Sequence, residues 1–195
     1  MKLNLGCGTD IKPGYVNLDL VPLKGVDVVC NLDKPPLPFK DNQFEGVYCR
    51  HVLEHVDNFL PLIEELYRIS KPEGIIRIEA PHCSSVLSYT DPTHRRFFTY
   101  NSMRYFVEDY IFNFYSRARF ETVKVRLQFT GGKFQFLNYL FDPLVNLFPN
   151  LYERLWMWLL PAENIFYILK VKKSAYGQQY SKIIVLLTIF EYSIR

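Results

Sequence analysis

Cysteine is scarce and unpatterned in this sequence: Cys7, Cys30, Cys49 and Cys83 stand far apart, with no C-x-x-C among them. That argues against a dense disulfide framework and for reduced thiols in a reducing compartment. Long hydrophobic runs are also missing. The apolar stretch Ile183 to Phe190 has eight residues, whereas a bilayer span needs about twenty. MKLNLGCG shows no charged leader followed by an apolar run, so the expected location is the cytoplasm. Excess charge is small, +3 overall, and the densest basic spot is the short His94-Arg95-Arg96. That charge does not by itself imply a nucleic-acid partner; the alternative of an RNA or protein partner stays open and would need a broader basic surface. Internal repeats and low-complexity segments are absent as well.

What is present suffices for one domain. The chain has 195 residues, 49% hydrophobic and 22% charged, which supports a single buried core. We expect a domain over residues 1–173 and a C-terminal tail over 174–195, the latter free to pack on the domain, pair with a partner or touch a membrane surface.

Short alternating or β-branched runs predict strands at Lys2 to Leu5, Tyr15 to Leu20, Val26 to Cys30, Phe44 to Cys49, Ile75 to Ala80, Glu121 to Phe129 and Asn164 to Lys172. A helix capped at Asp57 or Asn58 follows from Leu60, Ile63, Leu66 and Tyr67, with its stop at Lys71-Pro72-Glu73-Gly74. The stripe Met103, Phe106, Val107, Tyr110, Ile111 and Phe114 predicts an amphipathic helix within Thr99 to Tyr115. Asp142-Pro143 should open a helical stretch, broken at Pro149 and resumed to Pro161. Strand, helix and strand in succession from Phe44 to Ala80 indicate a parallel sheet.

In LNLGCGTD a strand runs into Gly6 and Gly8, where glycine permits unusual φ values and close approach of a ligand to backbone. A second strand ends in Asp19, suited to both hydroxyls of a ribose. A third leads to Asp33, suited to an adenine amino group. A glycine turn and two acids at successive strand ends make an adenosine site.

Taken in order, LNLGCGTD, NLDL, NLDKPPLPFKDNQFEGVYCRHVLEHV and LIEELYRISKPEGIIRIEAPH resemble the class I S-adenosylmethionine-dependent methyltransferases, closely from Leu3 to about His82. The resemblance implies an α/β fold: a Rossmann-like, doubly wound, mostly parallel seven-stranded sheet. It implies S-adenosylmethionine as cofactor, with Leu5, Gly6, Cys7 and Gly8 along its methionine and ribose part and Asp19 on the ribose. Leu20 and Leu32 would face the adenine, Asp33 its amino group, and Arg50 and His51 would lie beside it. The sequence departs from the family at Asn4, where an acid is usual, and at Asp10, where a third glycine is. Cys7 to Gly14 is too short for the first crossover helix, so an abbreviated crossover with one turn near Thr9 to Lys12 is expected.

A methyl acceptor would enter after the fifth strand. His82 and His94 are the candidate catalytic bases, with Asp91 orienting His94, and Arg95 and Arg96 could hold an acceptor's phosphate or carboxylate. The aromatic stretch Phe134 to Leu160 suits a lipid-linked, aromatic or sugar-ring acceptor, and equally a core or dimer face; the expected acceptor is a small or lipid-linked molecule, and the oligomeric state is left open. His51, Glu54 and His55 also spell H-x-x-E-H, a zinc-peptidase signature when helical. The cap at Asp57 places them in a loop, and no metal site is expected.

Overall fold

The computed structural model describes residues 1–173, so the expected tail lies outside the described residues. Seven strands form one sheet: β1 (Lys2–Leu5), β2 (Tyr15–Asp19), β3 (Val28–Val29), β4 (Phe44–Arg50), β5 (Ser70–Pro81), β6 (Phe120–Gln128) and β7 (Asn164–Val171). Their order is β3-β2-β1-β4-β5-β7-β6. Only β7 runs against its neighbours, pairing antiparallel with both β5 and β6. The winding reverses between β1 and β4, and such a switch point opens a ligand crevice at the carboxyl ends of the strands. The α/β class, the strand count and the short first crossover are as expected.

Period-two alternation gives the sheet one apolar face. Leu3, Leu5, Leu18, Val47, Cys49, Ile76, Ile78, Ile165, Tyr167 and Leu169 are all buried. Helix α1 (Phe59–Ile69) crosses from β4 to β5 and buries Leu62, Ile63, Leu66 and Ile69, as a 3.6-residue stripe requires. The opposite face is polar: Lys2, Arg50 and Arg77 are exposed and Tyr48 and Glu79 half-buried. Residues 6–14 and 20–27, which would carry covering helices, are short loops instead. The strand order is thus doubly wound, while helical cover lies mainly on one side.

Two buried asparagines hold the abbreviated crossover. Asn4 Nδ2 donates to the Asp10 carbonyl (2.7 Å) and to Asn17 Oδ1 (3.0 Å), and Asn17 Oδ1 also accepts from the Lys12 amide (2.9 Å). Backbone groups that a helix would satisfy internally are paired by these side chains. The helical turn expected at Thr9 to Lys12 does not form. The loop turns instead through the Asp10 amide on the Cys7 carbonyl (2.8 Å).

Three other elements differ from expectation. Lys71-Pro72-Glu73-Gly74 is not a loop: β5 begins at Ser70, directly after α1, with a register shift against β4 between Phe44 and Gly46. Between β5 and β6 comes α2 (Leu87–Thr90), but no helix forms over Thr99 to Tyr115. Two short 3-10 turns stand there, burying Met103 and Phe106 and leaving Ile111 and Phe114 exposed. Aromatic and β-branched residues are weak helix formers, and half of the stripe has no core to pack against. Pro143 does not open its helix but sits inside α3 (Asn138–Leu147), while Pro149 starts α4 (Pro149–Leu155) as its fixed φ favours.

Candidate active site

The glycine loop leaves β1 at the switch point. Leu5 is fully buried and anchors it, and the Cys7 amide donates to the Leu18 carbonyl (2.9 Å). Gly6 has φ +61°, and a Cβ there would lie 2.4 Å from Val52 Cγ2. Gly8 has φ +48° with nothing within 4 Å of a would-be Cβ, so its backbone faces open space that a ligand can enter. The Gly8 amide donates to Asp19 Oδ2 (2.7 Å) and the Val21 amide to Asp19 Oδ1 (3.0 Å). These bonds fix the carboxylate, and each oxygen keeps a lone pair for a ribose hydroxyl. Leu20, 61% exposed, offers an apolar face beside it, and Leu32 is half-buried against the core. Asp33 Oδ1 accepts from the Asn58 amide (2.8 Å) at the start of α1, which leaves Oδ2 for a donor such as an adenine amine. Open backbone, a fixed diol acceptor and apolar surface fit an adenosine cofactor. Asn4, whose amide is tied into the crossover, is not turned towards it.

Arg50 and His51 follow β4. Arg50 Nε pairs with Glu79 Oε1 at 3.2 Å. His51, at φ +52°, is held by its amide on the Glu79 carbonyl. Its ring lies between Glu54 (Nδ1 to Oε1, 3.2 Å) and Glu79 (Nε2 to Oε1, 3.6 Å). Hydrogen bonding to Glu54, then to Glu79, pushes His51 up to about 9, so it carries charge at neutral pH.

Beyond His51 a cavity of about 510 Å³ is lined by Glu54, His55, Pro81, Leu87, Asp91 and His94, among others. Glu54 and His55 belong to a single 3-10 turn (Leu53–His55). The amides of Arg95 and Arg96 donate to the Glu54 carbonyl (2.7 and 3.2 Å), which ties this turn to the His94 loop. His94 therefore lines this cavity together with His51 and the Leu53–His55 turn.

The other expected acceptor residues fall differently. His82 is fully buried with both ring nitrogens engaged, Nδ1 by Ser84 Oγ (2.7 Å) and Nε2 by Glu153 Oε1 (3.1 Å). It latches β5 to α4 and presents no free nitrogen to an acceptor, contrary to the catalytic expectation. Asp91 does not orient the His94 ring: its Oδ1 accepts from the Thr93 amide and hydroxyl (2.8 and 2.6 Å), while His94 Nδ1 meets the Ser88 carbonyl (3.1 Å). Arg96 spends its guanidinium on the Val56 and Asp57 carbonyls and over the Phe59 ring. Arg95 stays exposed near Asp57. Glu54 and His55 of H-x-x-E-H meet His94, which comes from a loop that only the fold brings near.

Residues 7–78 match the methyltransferase domain family. No curated protein matches the sequence. Among solved structures, a SAM-dependent methyltransferase from Archaeoglobus fulgidus is 21% identical, covering 87% of this chain and 85% of that one, at a TM-score of 0.57. The YcgJ protein of Bacillus subtilis is 12% identical over 89% and 92% of the two chains, at 0.54. The cyclase SpnF is 14% identical over 89% and 74%, at 0.55. At such identities the structures establish the fold, and SpnF shows that the fold is not confined to proteins named for methyl transfer. The family match adds what the fold alone does not, since it falls on the segment that builds the glycine loop, Asp19, Asp33 and the His51 turn. On that footing residues 7–78 match a methyltransferase domain, set in a fold shared with a SAM-dependent methyltransferase.

Proposed function

We propose that the methyl acceptor is a small or lipid-linked molecule whose reacting oxygen or nitrogen enters the His55–His94 cavity and whose apolar part lies on the α3–α4 insertion. S-adenosylmethionine held at the switch point would supply an electrophilic sulfonium methyl for the acceptor's lone pair, leaving as the thioether, with the acceptor's proton released to water. The chain's own residues have two tasks. Gly6, Gly8, Asp19 and Asp33 hold the cofactor at the switch point, and the cavity beyond His51 places the acceptor, since alignment can supply much of the rate. Glu54, His55 and His94 line that cavity and give it the polar groups that face an acceptor hydroxyl or amine.

The observation that carries the acceptor class is the insertion between β6 and β7, at the carboxyl end of β6. Phe134, Phe136, Leu147, Trp156, Trp158 and Leu159 are all exposed there. An apolar cavity of about 220 Å³ opens between α3 and α4, lined by Val145, Phe148, Tyr152, Trp156 and Leu160 among others. So much exposed apolar surface marks a contact with lipid or partner. The insertion's exposed charges, Lys133 and Arg154, are both basic, while Asp142 and Glu153 turn inward to Arg126 and His82. Basic charge beside exposed tryptophan suits peripheral contact with an anionic lipid surface. Among the described residues no helix is long and apolar enough to cross a membrane. A cytoplasmic location belongs to the same reading, supported by four unpaired cysteines.

An RNA or protein acceptor is disfavoured by the fate of the basic cluster near the end of β7. Lys170 and Lys172 are matched by Glu73 and Glu121 at 2.9–3.3 Å, and Lys173 donates to the Arg68 and Ser70 carbonyls. The test is formation of S-adenosylhomocysteine with a lipid-linked hydroxyl acceptor, with its water-soluble head group, and with RNA. Trp156→Ser with Trp158→Ser should raise KM for the lipid-linked acceptor and leave that for the head group unchanged. Turnover confined to RNA or protein would refute the acceptor class.

A further inference from the structure

We propose that Glu54, His55 and His94 bind one divalent transition-metal ion of the zinc class at the acceptor cavity. Each offers a ligand atom within 4.8 Å of the other two. Zinc bonds to imidazole and carboxylate are about 2.0–2.2 Å, so the three groups need to close by roughly an ångström or so through side-chain rotation.

The hydrogen bonds around the cluster set both imidazoles in the ligating form. The Thr93 hydroxyl has one proton and sits 2.6 Å from Asp91 Oδ1, a carboxylate that accepts it. Thr93 Oγ1, 2.8 Å from His55 Nδ1, is therefore the acceptor of that bond, and His55 carries its proton on Nδ1. His94 Nδ1 faces the Ser88 carbonyl at 3.1 Å, which can only accept, so His94 is protonated on Nδ1 too. Both neutral rings then keep the Nε2 lone pair. Outer hydrogen bonds of this kind orient metal-ligating histidines.

The carboxylate supplies the independent sign. Glu54 is 1% exposed, its Oε1 is bonded to His51, and its Oε2 is buried without any hydrogen-bond partner. A buried carboxylate oxygen left unpaired is costly, and a metal bond removes that penalty. Two imidazoles and one carboxylate favour zinc or a neighbouring transition metal over magnesium or calcium, which prefer all-oxygen sets. The set differs from the linear zinc-peptidase motif, because His51 is turned to Glu54 and Glu79 and the second imidazole comes from the loop after β5. With three protein ligands the ion keeps an open position towards the cavity, where an acceptor hydroxyl or phosphate oxygen would coordinate; this last role rests on the acceptor reading above.

The full chain, stripped of metal, is titrated with Co²⁺ by visible absorbance and with Zn²⁺ in competition, and separately with S-adenosylmethionine by calorimetry. One equivalent of Co²⁺ should bind with the intense absorption of a low-coordinate site. Thr93→Val should weaken it by about 10–100-fold, as loss of an outer hydrogen bond does, and His94→Ala by more. Cofactor affinity of both variants should stay within a factor of two or so of the parent, which certifies the fold. Absence of a Co²⁺ site, or affinity unchanged in His94→Ala, overturns the proposal even if the cofactor binds. Co²⁺ binding without cofactor binding sustains the metal site and sinks the methyl-transfer reading.

Discussion

Substitution of Gly6 by alanine tests the glycine loop where its geometry is most demanding. The residue sits at φ +61°, and a Cβ would meet Val52 Cγ2 at 2.4 Å and Cγ1 at 2.9 Å. The left-handed backbone costs an alanine about 1–2 kcal/mol. Forcing a methyl into a packed site adds about 1–3 kcal/mol. Val52 cannot easily yield: it is a buried member of the core, and a β-branched side chain is stiff at χ1. The sum is a loss of about 2–5 kcal/mol, roughly a 5–15 °C drop in Tm for a domain of this size. Urea denaturation of Gly6→Ala, Val52→Ala and the double variant separates the two causes. The double variant should be more stable than the summed singles by about 1–3 kcal/mol, because Val52→Ala removes the clash and leaves the backbone strain. Strict additivity, or a Gly6→Ala cost below about 1 kcal/mol, would refute the reasoning.

Three further outcomes are expected. Asn17→Ala strands the Lys12 amide and one bond of Asn4, and should cost about 2 kcal/mol in denaturation and loosen residues 6–14 to hydrogen exchange; unchanged protection there would show that the asparagines do not hold the crossover. His82→Phe should destabilise by about 3 kcal/mol because it leaves Glu153 without its buried partner, while kcat per folded molecule holds; a fall in kcat at full stability would restore a catalytic His82. Glu65 is held below the usual carboxylate range by the Arg68 guanidinium and the Leu37 amide. Its contribution is present above an unfolded value of about 4.3 and is lost as pH falls through the lower folded value, so Glu65→Gln should flatten the loss of stability below about pH 4. A parallel acid limb in the variant would contradict that.

The parts of the fold that could be read from the chain were those encoded locally. Leu3, Leu5, Val47, Cys49, Ile76 and Ile78 alternate because one side of each strand meets a core, and that periodicity survives in the sequence. The stripe over Thr99 to Tyr115 misled because periodicity records which residues would share a face and not whether a core waits for it. Ile111 and Phe114 have none. Lys71-Pro72-Glu73-Gly74 looked like a turn, yet it is strand, and glycine is needed because a Cβ at Gly74 would lie 2.9 Å from the Lys71 carbonyl oxygen. The glycine loop, Asp19 and Asp33 were legible as a candidate set because they cluster at strand ends in chain order. The cavity lined by Glu54, His55 and His94 was not, since Glu54 and His55 meet His94 across a distance in sequence that no spacing rule spans. His82 looked available because its sequence neighbours gave no sign of Glu153, which arrives from α4 to close it off.

The central claim is that the crevice at the β1–β4 switch point holds S-adenosylmethionine through Asp19. Calorimetric titration of the parent and of Asp19→Ala decides it. The parent should bind one equivalent saturably. Asp19→Ala removes the acceptor of the Gly8 and Val21 amides and, on this account, of two ribose hydroxyls, and should weaken binding by about 100-fold or more, since charged hydrogen bonds contribute about 1.5–3 kcal/mol each. No saturable binding by the parent, or equal affinity in Asp19→Ala, would contradict the account.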